Sequence, residues 1–164
     1  ATEQGRRLAQ GIGLPELAVA DDGHLSGPRL IDYGRFADPL DAAAACLVEA
    51  GQHWDAEAVT VTLACVARLL RMLKMTAQHP ALPRVAPSPA RRFARVTRTV
   101  TAGTAGFAFV QPFRGGEVVA RADTLIAHDG DLEIRTPHDD CLLVMPSLRP
   151  SRGHTAVRLA RFET

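Results

Sequence analysis

Lysine is almost missing from this sequence: 18 of its 19 basic residues are arginine, and Lys74 stands alone. Lys74 falls at the end of a predicted helix, so no lysine remains for a hairpin tip, and a carrier module that holds its cofactor through a lysine amide is excluded. Cysteine is sparse as well. Cys46, Cys65 and Cys141 are odd in number, widely separated and form no CxxC pair. This argues against a disulfide framework or a zinc knuckle and points to a reducing cytoplasm. Each cysteine sits in an apolar stretch and reads as a small buried hydrophobe rather than a nucleophile. No apolar run approaches the roughly 20 residues of a membrane-spanning helix. No basic segment followed by an apolar one marks a secretory leader.

Acidic residues are absent from a long middle. Between residues 58 and 116 there is no Asp or Glu, against nine basic residues, although the net charge is only +1. A nucleic-acid surface needs stacking rings among its cations, and Phe93 is the one ring among the five arginines between residues 84 and 98. The stretch is read instead as a solvated strand face, or as a surface that attracts a small molecule bearing a carboxylate. Neither nucleic acid nor a membrane is expected as a partner.

With 46% hydrophobic and 23% charged residues, 164 residues suffice for one ordinary core or for two small subdomains. The first part alternates helix and strand. A helix is expected over residues 3–11, already resembling mid-helix at its start, and the missing initiator Met adds to the expectation that chain precedes Ala1. Gly13 and Pro15 end that helix, a strand spans residues 17–20, and Asp21-Asp22-Gly23 forms a loop. Residues 23–39 read as an extended loop, and residues 46–50 as a buried strand. Asp55 is a natural N-cap, and Val59, Leu63, Val66, Leu70 and Leu73 then recur at helical spacing as a core stripe that packs on a sheet. Four prolines between residues 79 and 89 mark a linker. The domains are drawn as residues 1–78 (α/β), 79–91 (linker) and 92–164 (all-β). In the last of these, runs at 96–100, 107–110, 117–120, 141–145 and 155–159 are separated by turns at Gly103, Gly115-Gly116, Gly130 and Gly153. That spacing predicts a small sandwich or barrel, with Val157 and Leu159 facing in and Arg158 out.

Glu49, between Val48 and Ala50, is the residue with most chemical interest. A carboxylate at the C-terminal end of a buried strand stands where active sites of α/β sheets open, and it needs a cation, a metal or hydrogen bonds there. A structural ion pair and a functional carboxylate both meet that need. His53 lies four residues on, near Asp55, and reads as a hydrogen-bonding or capping histidine rather than a metal ligand. Arg29 and Arg35, in the loop before Glu49, offer the guanidinium fork suited to a carboxylate, although with 18 arginines in the chain a solvated surface role suits either of them better. His24, His79, His128 and His154 fall in turns and read as solvated.

The segment Leu47-Val48-Glu49-Ala50-Gly51-Gln52-His53 resembles the glutamate motif of the succinylglutamate desuccinylase and aspartoacylase family, relatives of the zinc carboxypeptidases. Gly27-Pro28-Arg29, Asp32-Tyr33-Gly34, the helix from Asp55 and the run from Thr136-Pro137-His138-Asp139-Asp140 to Pro146 follow in a similar order. The resemblance implies the C-terminal part of a zinc-carboxypeptidase-like α/β sheet followed by a small all-β subdomain. It implies an amide hydrolase acting on an N-acyl amino acid or related carboxylate, with Glu49 as general acid and base. Arg29, Arg35 and His138 are then candidate substrate contacts, and Gln52 and His53 support the site. The family's zinc is held by a His-x-x-Glu pair and a later His. No histidine here is followed three positions on by Glu, so no metal ligand is assigned within the chain, and the Zn2+ ligands are expected upstream of Ala1. The chain alone is accordingly expected to be inactive, and its expected associations are a homo-oligomer or an N-terminal fragment of the same protein. A non-catalytic binding or assembly module derived from the same family is the alternative.

Overall fold

A computed structural model describes residues 2–22, 27–52, 54–76, 82–84 and 91–163. His24, His53, His79 and most of the expected proline-rich linker lie outside the described residues. The chain divides into two compact units, one of Ala1–Ala18 with His24–Arg92 and one of Val19–Gly23 with Phe93–Thr164. The fold is mixed α/β, with both long helices in the first unit and nearly all strand residues in the second. Among the described residues no helix is long and apolar enough to cross a membrane.

In the first unit, α1 (Glu3–Ile12) has its own start. Thr2 is extended (φ −83°, ψ 155°) and its hydroxyl accepts from the Gly5 N–H at 3.2 Å. The Thr2 side chain thus satisfies a first-turn donor and caps the helix, where the sequence alone resembled mid-helix. Gly13, in the left-handed region at φ 68°, closes the other end by donating to Ala9 O at 3.0 Å. The last turn carries no basic residue. Guanidinium groups from elsewhere in the unit serve it: Arg68 donates to Ile12 O at 3.3 Å, and Arg91 to Ala9 O.

The second helix, α2 (Ala56–Met72), begins where the sequence places it, with the Asp55 carboxylate accepting from Glu57 N–H at 2.9 Å. Its packing differs from the expectation. Val59, Leu63 and Val66 are 61%, 41% and 40% exposed, and Leu73 is exposed too. The buried residues are Cys65 and Ala67, and α2 packs against α1 instead of a sheet. Small residues allow that close approach: the Met72 sulfur fills the space that a Cβ on Gly11 would need. The apolar period locates a face that burial would favour, but no described residue covers it.

β1 (Leu17–Ala20) is the edge of a five-stranded sheet that continues through β2 (Arg92–Thr101), β8 (Thr155–Glu163), β7 (Cys141–Val144) and β4 (Val118–Val119). A three-stranded sheet has the order β3 (Phe107–Phe109), β5 (Leu125–Asp129), β6 (Leu132–Arg135). β5 and β6 were not legible as separate strands. The pairs β2–β8, β8–β7, β7–β4, β3–β5 and β5–β6 are antiparallel. Val100, Leu143, Val157 and Leu159 from the larger sheet and Phe107, Ile126 and Ile134 from the smaller share one core, as in a sandwich. Arg158 does not face freely outward. Its guanidinium lies 2.8 Å from the Asp21 carboxylate, with both side chains largely covered, so the ion pair compensates their desolvation.

Candidate functional site

Two 3₁₀ turns, Leu30–Asp32 and Gly34–Phe36, shape the loop that presents the candidate arginines. Arg29 closes on its own turn. Its Nε and Nη2 donate to the two Asp32 oxygens at 2.7 and 2.9 Å, and its backbone N–H donates to Asp32 Oδ2 at 3.0 Å. That fork is therefore engaged by a carboxylate of the protein itself. Arg35 is more open: one Nη2 donates to Asp41 Oδ1 at 3.0 Å, and its side chain is 65% exposed. The Ala43 N–H, and then the Arg35 guanidinium, hold the Asp41 carboxyl below its usual range. Gln4 in α1 donates to Pro39 O and Asp41 O at 2.8 and 2.9 Å, which ties this loop to the first helix.

Glu49 follows on an extended segment. The buried strand expected over residues 46–50 is not formed, and Glu49 and Leu47 are exposed. The physical reason is that this stretch has no ladder partner among the described residues, so neither sheet pairing nor a covering layer buries it. Among the described residues Glu49 makes no hydrogen bond and no ion pair. The structural ion-pair alternative thus finds no partner among the described residues. Gln52 is exposed and its carbonyl accepts from Asp55 N–H at 3.0 Å, joining the Glu49 segment to the start of α2.

His138 belongs to the second unit and is only 7% exposed. Its Nδ1 lies 2.9 Å from Asp139 O and its Nε2 2.9 Å from Thr97 Oγ1. A carbonyl oxygen can only accept, so Nδ1 donates to Asp139 O, and Nε2 pairs with the Thr97 hydroxyl, whose one hydrogen Leu159 O also competes for. The same hydroxyl lies 3.1 Å from Leu159 O. Thr97 reaches this position because it is the extra residue of a β-bulge, between Val96 paired with Ala160 and Arg98 paired with Leu159. Around His138 the turn is held at many points. The Thr136 hydroxyl donates to Arg121 O at 2.8 Å and accepts from Thr124 N–H at 3.0 Å, and Asp139 Oδ1 accepts from Ala122 N–H at 2.7 Å. Both ring nitrogens are thus used within the protein, and Thr97 is a partner that sequence reasoning missed.

A comparable anchor sits at the end of β5. Asp129 is buried and accepts from Gly103 N–H at 2.6 Å, Thr104 N–H at 2.9 Å and the Thr104 hydroxyl at 2.6 Å. The Thr104 hydroxyl and then the Gly103 amide hold its carboxyl below the usual range. Burial pushes the thiols of Cys46, Cys65 and Cys141 up. That disfavours the thiolate a nucleophile requires, in keeping with the reading of these residues as hydrophobes. Among the described residues no three His, Cys, Asp or Glu side chains come together as a metal site, so the described residues do not fit a zinc centre. Arg29, Arg35 and Glu49 all belong to the first unit.

No family model matches the sequence, and no curated protein matches it. Solved structures do match. The X-ray structure of succinylglutamate desuccinylase from Vibrio parahaemolyticus aligns with 99% of this chain at a TM-score of 0.65 and 14% identity. The fold is similar to that of a desuccinylase. The chain spans about half of that structure, 46% of its length. The succinylglutamate desuccinylase from Vibrio cholerae aligns with 60% of this chain at a TM-score of 0.45 and 20% identity, covering 28% of that chain. The alignment with the first covers both units.

Proposed function

We propose that the chain is the proton-transferring part of a desuccinylase-like amide hydrolase that cleaves the C–N bond of an N-acyl amino acid or a related carboxylate. The observation that carries this reading is Glu49: an exposed carboxylate without a partner among the described residues, in a fold similar to that of a desuccinylase over nearly its whole length. Glu49 accepts a proton from the attacking water and delivers it to the amine nitrogen as the C–N bond breaks, releasing a carboxylic acid and an amine. Arg35 fixes the substrate carboxylate in preference to Arg29, whose fork Asp32 already occupies. His138 acts through the turn it holds, Gln52 joins the end of the Glu49 segment to the start of α2, and His53 supports the site as the resemblance implies.

Zinc belongs to this reading through the resemblance, and its ligands lie in another part of the complete protein. When bound, a zinc ion would polarise the amide carbonyl. The test is Glu49→Gln in the complete protein, assayed on N-succinyl and N-acetyl amino acids. Turnover is expected to fall by about 10²-fold or more, with folding and metal content unchanged. Turnover within a few-fold of the parent would remove Glu49 from the mechanism.

A further inference from the structure

Arg29 and Arg35 leave the same loop and each meets an acidic residue, yet the two pairings differ in kind. Arg29 places Nε and Nη2 on both oxygens of Asp32, so the edge that binds a carboxylate is filled. Arg35 gives only Nη2 to Asp41 Oδ1, at 3.0 Å, and its Nε and Nη1 donate to nothing among the described residues.

Asp41 does not depend on Arg35 for its place. Its Oδ1 also accepts from Ala43 N–H at 2.8 Å, its N–H donates to Asp38 O at 3.3 Å, and its carbonyl accepts from Gln4 Nε2 in α1 at 2.9 Å. Its side chain is 29% exposed, against 65% for that of Arg35. The acid is therefore the anchored member of the pair, and the arginine is the member it steers. An exposed pair of this kind adds little to stability. What it supplies is restriction, since a long side chain already held in place loses less rotamer freedom when a ligand arrives.

We propose that Asp41 is a positioning residue for the substrate carboxylate: it holds Arg35 by one nitrogen and leaves the rest of the fork to the ligand. This rests on the role given to Arg35 under the proposed function and deepens it. An opposing effect comes with the arrangement, because the Asp41 charge also repels a second carboxylate. Asn and Ala at position 41 both remove that charge, but Asn keeps an oxygen for the Arg35 and Ala43 N–H groups. The difference between those two variants isolates the hold.

The test uses the complete protein. It measures labelling of Arg35 by p-hydroxyphenylglyoxal and its protection by N-succinyl and N-acetyl amino acids and by their amides, alongside KM and kcat for the same compounds. Asp41→Ala is expected to need about two- to tenfold more of the acids for half-protection than Asp41→Asn. KM for the acids should follow, kcat should differ by less than about twofold between the two variants, and the amides should not distinguish them. Asp41→Ser, which can still accept from Ala43 N–H but ends one atom short of Arg35, should match Asp41→Ala and serves if that variant does not fold. In an Arg35→Ala background the difference in KM should vanish. A ratio below about 1.5-fold, the same ratio on the amides, or a difference that survives Arg35→Ala would overturn the positioning role while leaving Arg35 as the substrate contact. Failure of every acid to protect Arg35 in the parent would remove the substrate role of Arg35 itself, and the positioning role with it.

Discussion

Replacing Thr97 by Val keeps the branched shape of the side chain and removes one hydroxyl, which makes it a sharp probe of the bulge that meets His138. In the parent, that hydroxyl lies 2.9 Å from His138 Nε2 and 3.1 Å from Leu159 O. After the substitution, Nε2 of an imidazole only 7% exposed has no partner within the bulge. Leaving a buried polar atom unsatisfied costs about 1–3 kcal/mol. Since 1.4 kcal/mol is tenfold in an equilibrium, opening of the second unit should become roughly 5- to 150-fold more frequent. Trp54, the single tryptophan, is exposed and belongs to the first unit, so its fluorescence is a poor reporter of this change. Amide exchange in the register pairs Leu142–Ala160 and Leu143–Leu159 of β7 and β8 is the appropriate readout. Acceleration in that range, with α2 amides unchanged, is the expected result. Acceleration below twofold would show that Thr97 is not a structural partner of His138. A cycle with His138→Phe should show losses that do not add, because each change removes the same contact.

Two further changes test the second unit. Leu143→Ala removes a fully buried side chain between the two sheets and should destabilise the unit by about 2–5 kcal/mol, read as a lower urea midpoint of the β-sheet circular dichroism. Asp129 has a folded pKa below its unfolded value near 3.9, so its contribution is fully present above that value and is lost as pH falls through the lower folded one. Asp129→Asn should lower the urea midpoint at pH 6 and flatten its fall between pH 4 and pH 2. An unaltered acid limb would show that the Thr104 and Gly103 donors do not favour the ionised form.

Local chemistry was legible, and chemistry between distant residues was not. Asp55 announced the start of α2, and its carboxylate does cap the helix. Val157 and Leu159 pointed to a core face, and both are fully buried. β5 escaped notice because His128 and Asp129 break its apolar run, while the groups that make a buried Asp129 acceptable come from Gly103 and Thr104, some 25 residues away. Thr97 and His138 are 41 residues apart, and nothing in either neighbourhood foretells a bulge that joins them. For Glu49 the sequence identified the residue but not its surroundings. Burial was inferred from apolar neighbours, whereas burial of a strand depends on the strand beside it, which no described residue supplies.

The two units differ in how far their described residues satisfy themselves. In the second unit the buried polar side chains Asp129, Thr136 and His138 all have hydrogen-bond partners, and its large apolar residues fill one core between two sheets. A unit closed in this way behaves as a scaffold, and damage to it is expressed as lost stability. Among the described residues the first unit buries Ile12, Cys65 and Ala67 as apolar residues, while Leu47, Val59, Leu63 and Val66 are exposed. Every apolar group left in water forgoes the stabilisation that burial would bring. The candidate carboxylate stands within this open stretch. Substitutions at the exposed Leu63 or Val66 should therefore change stability by no more than about 0.5 kcal/mol, with little effect on the exchange of β7 and β8 amides.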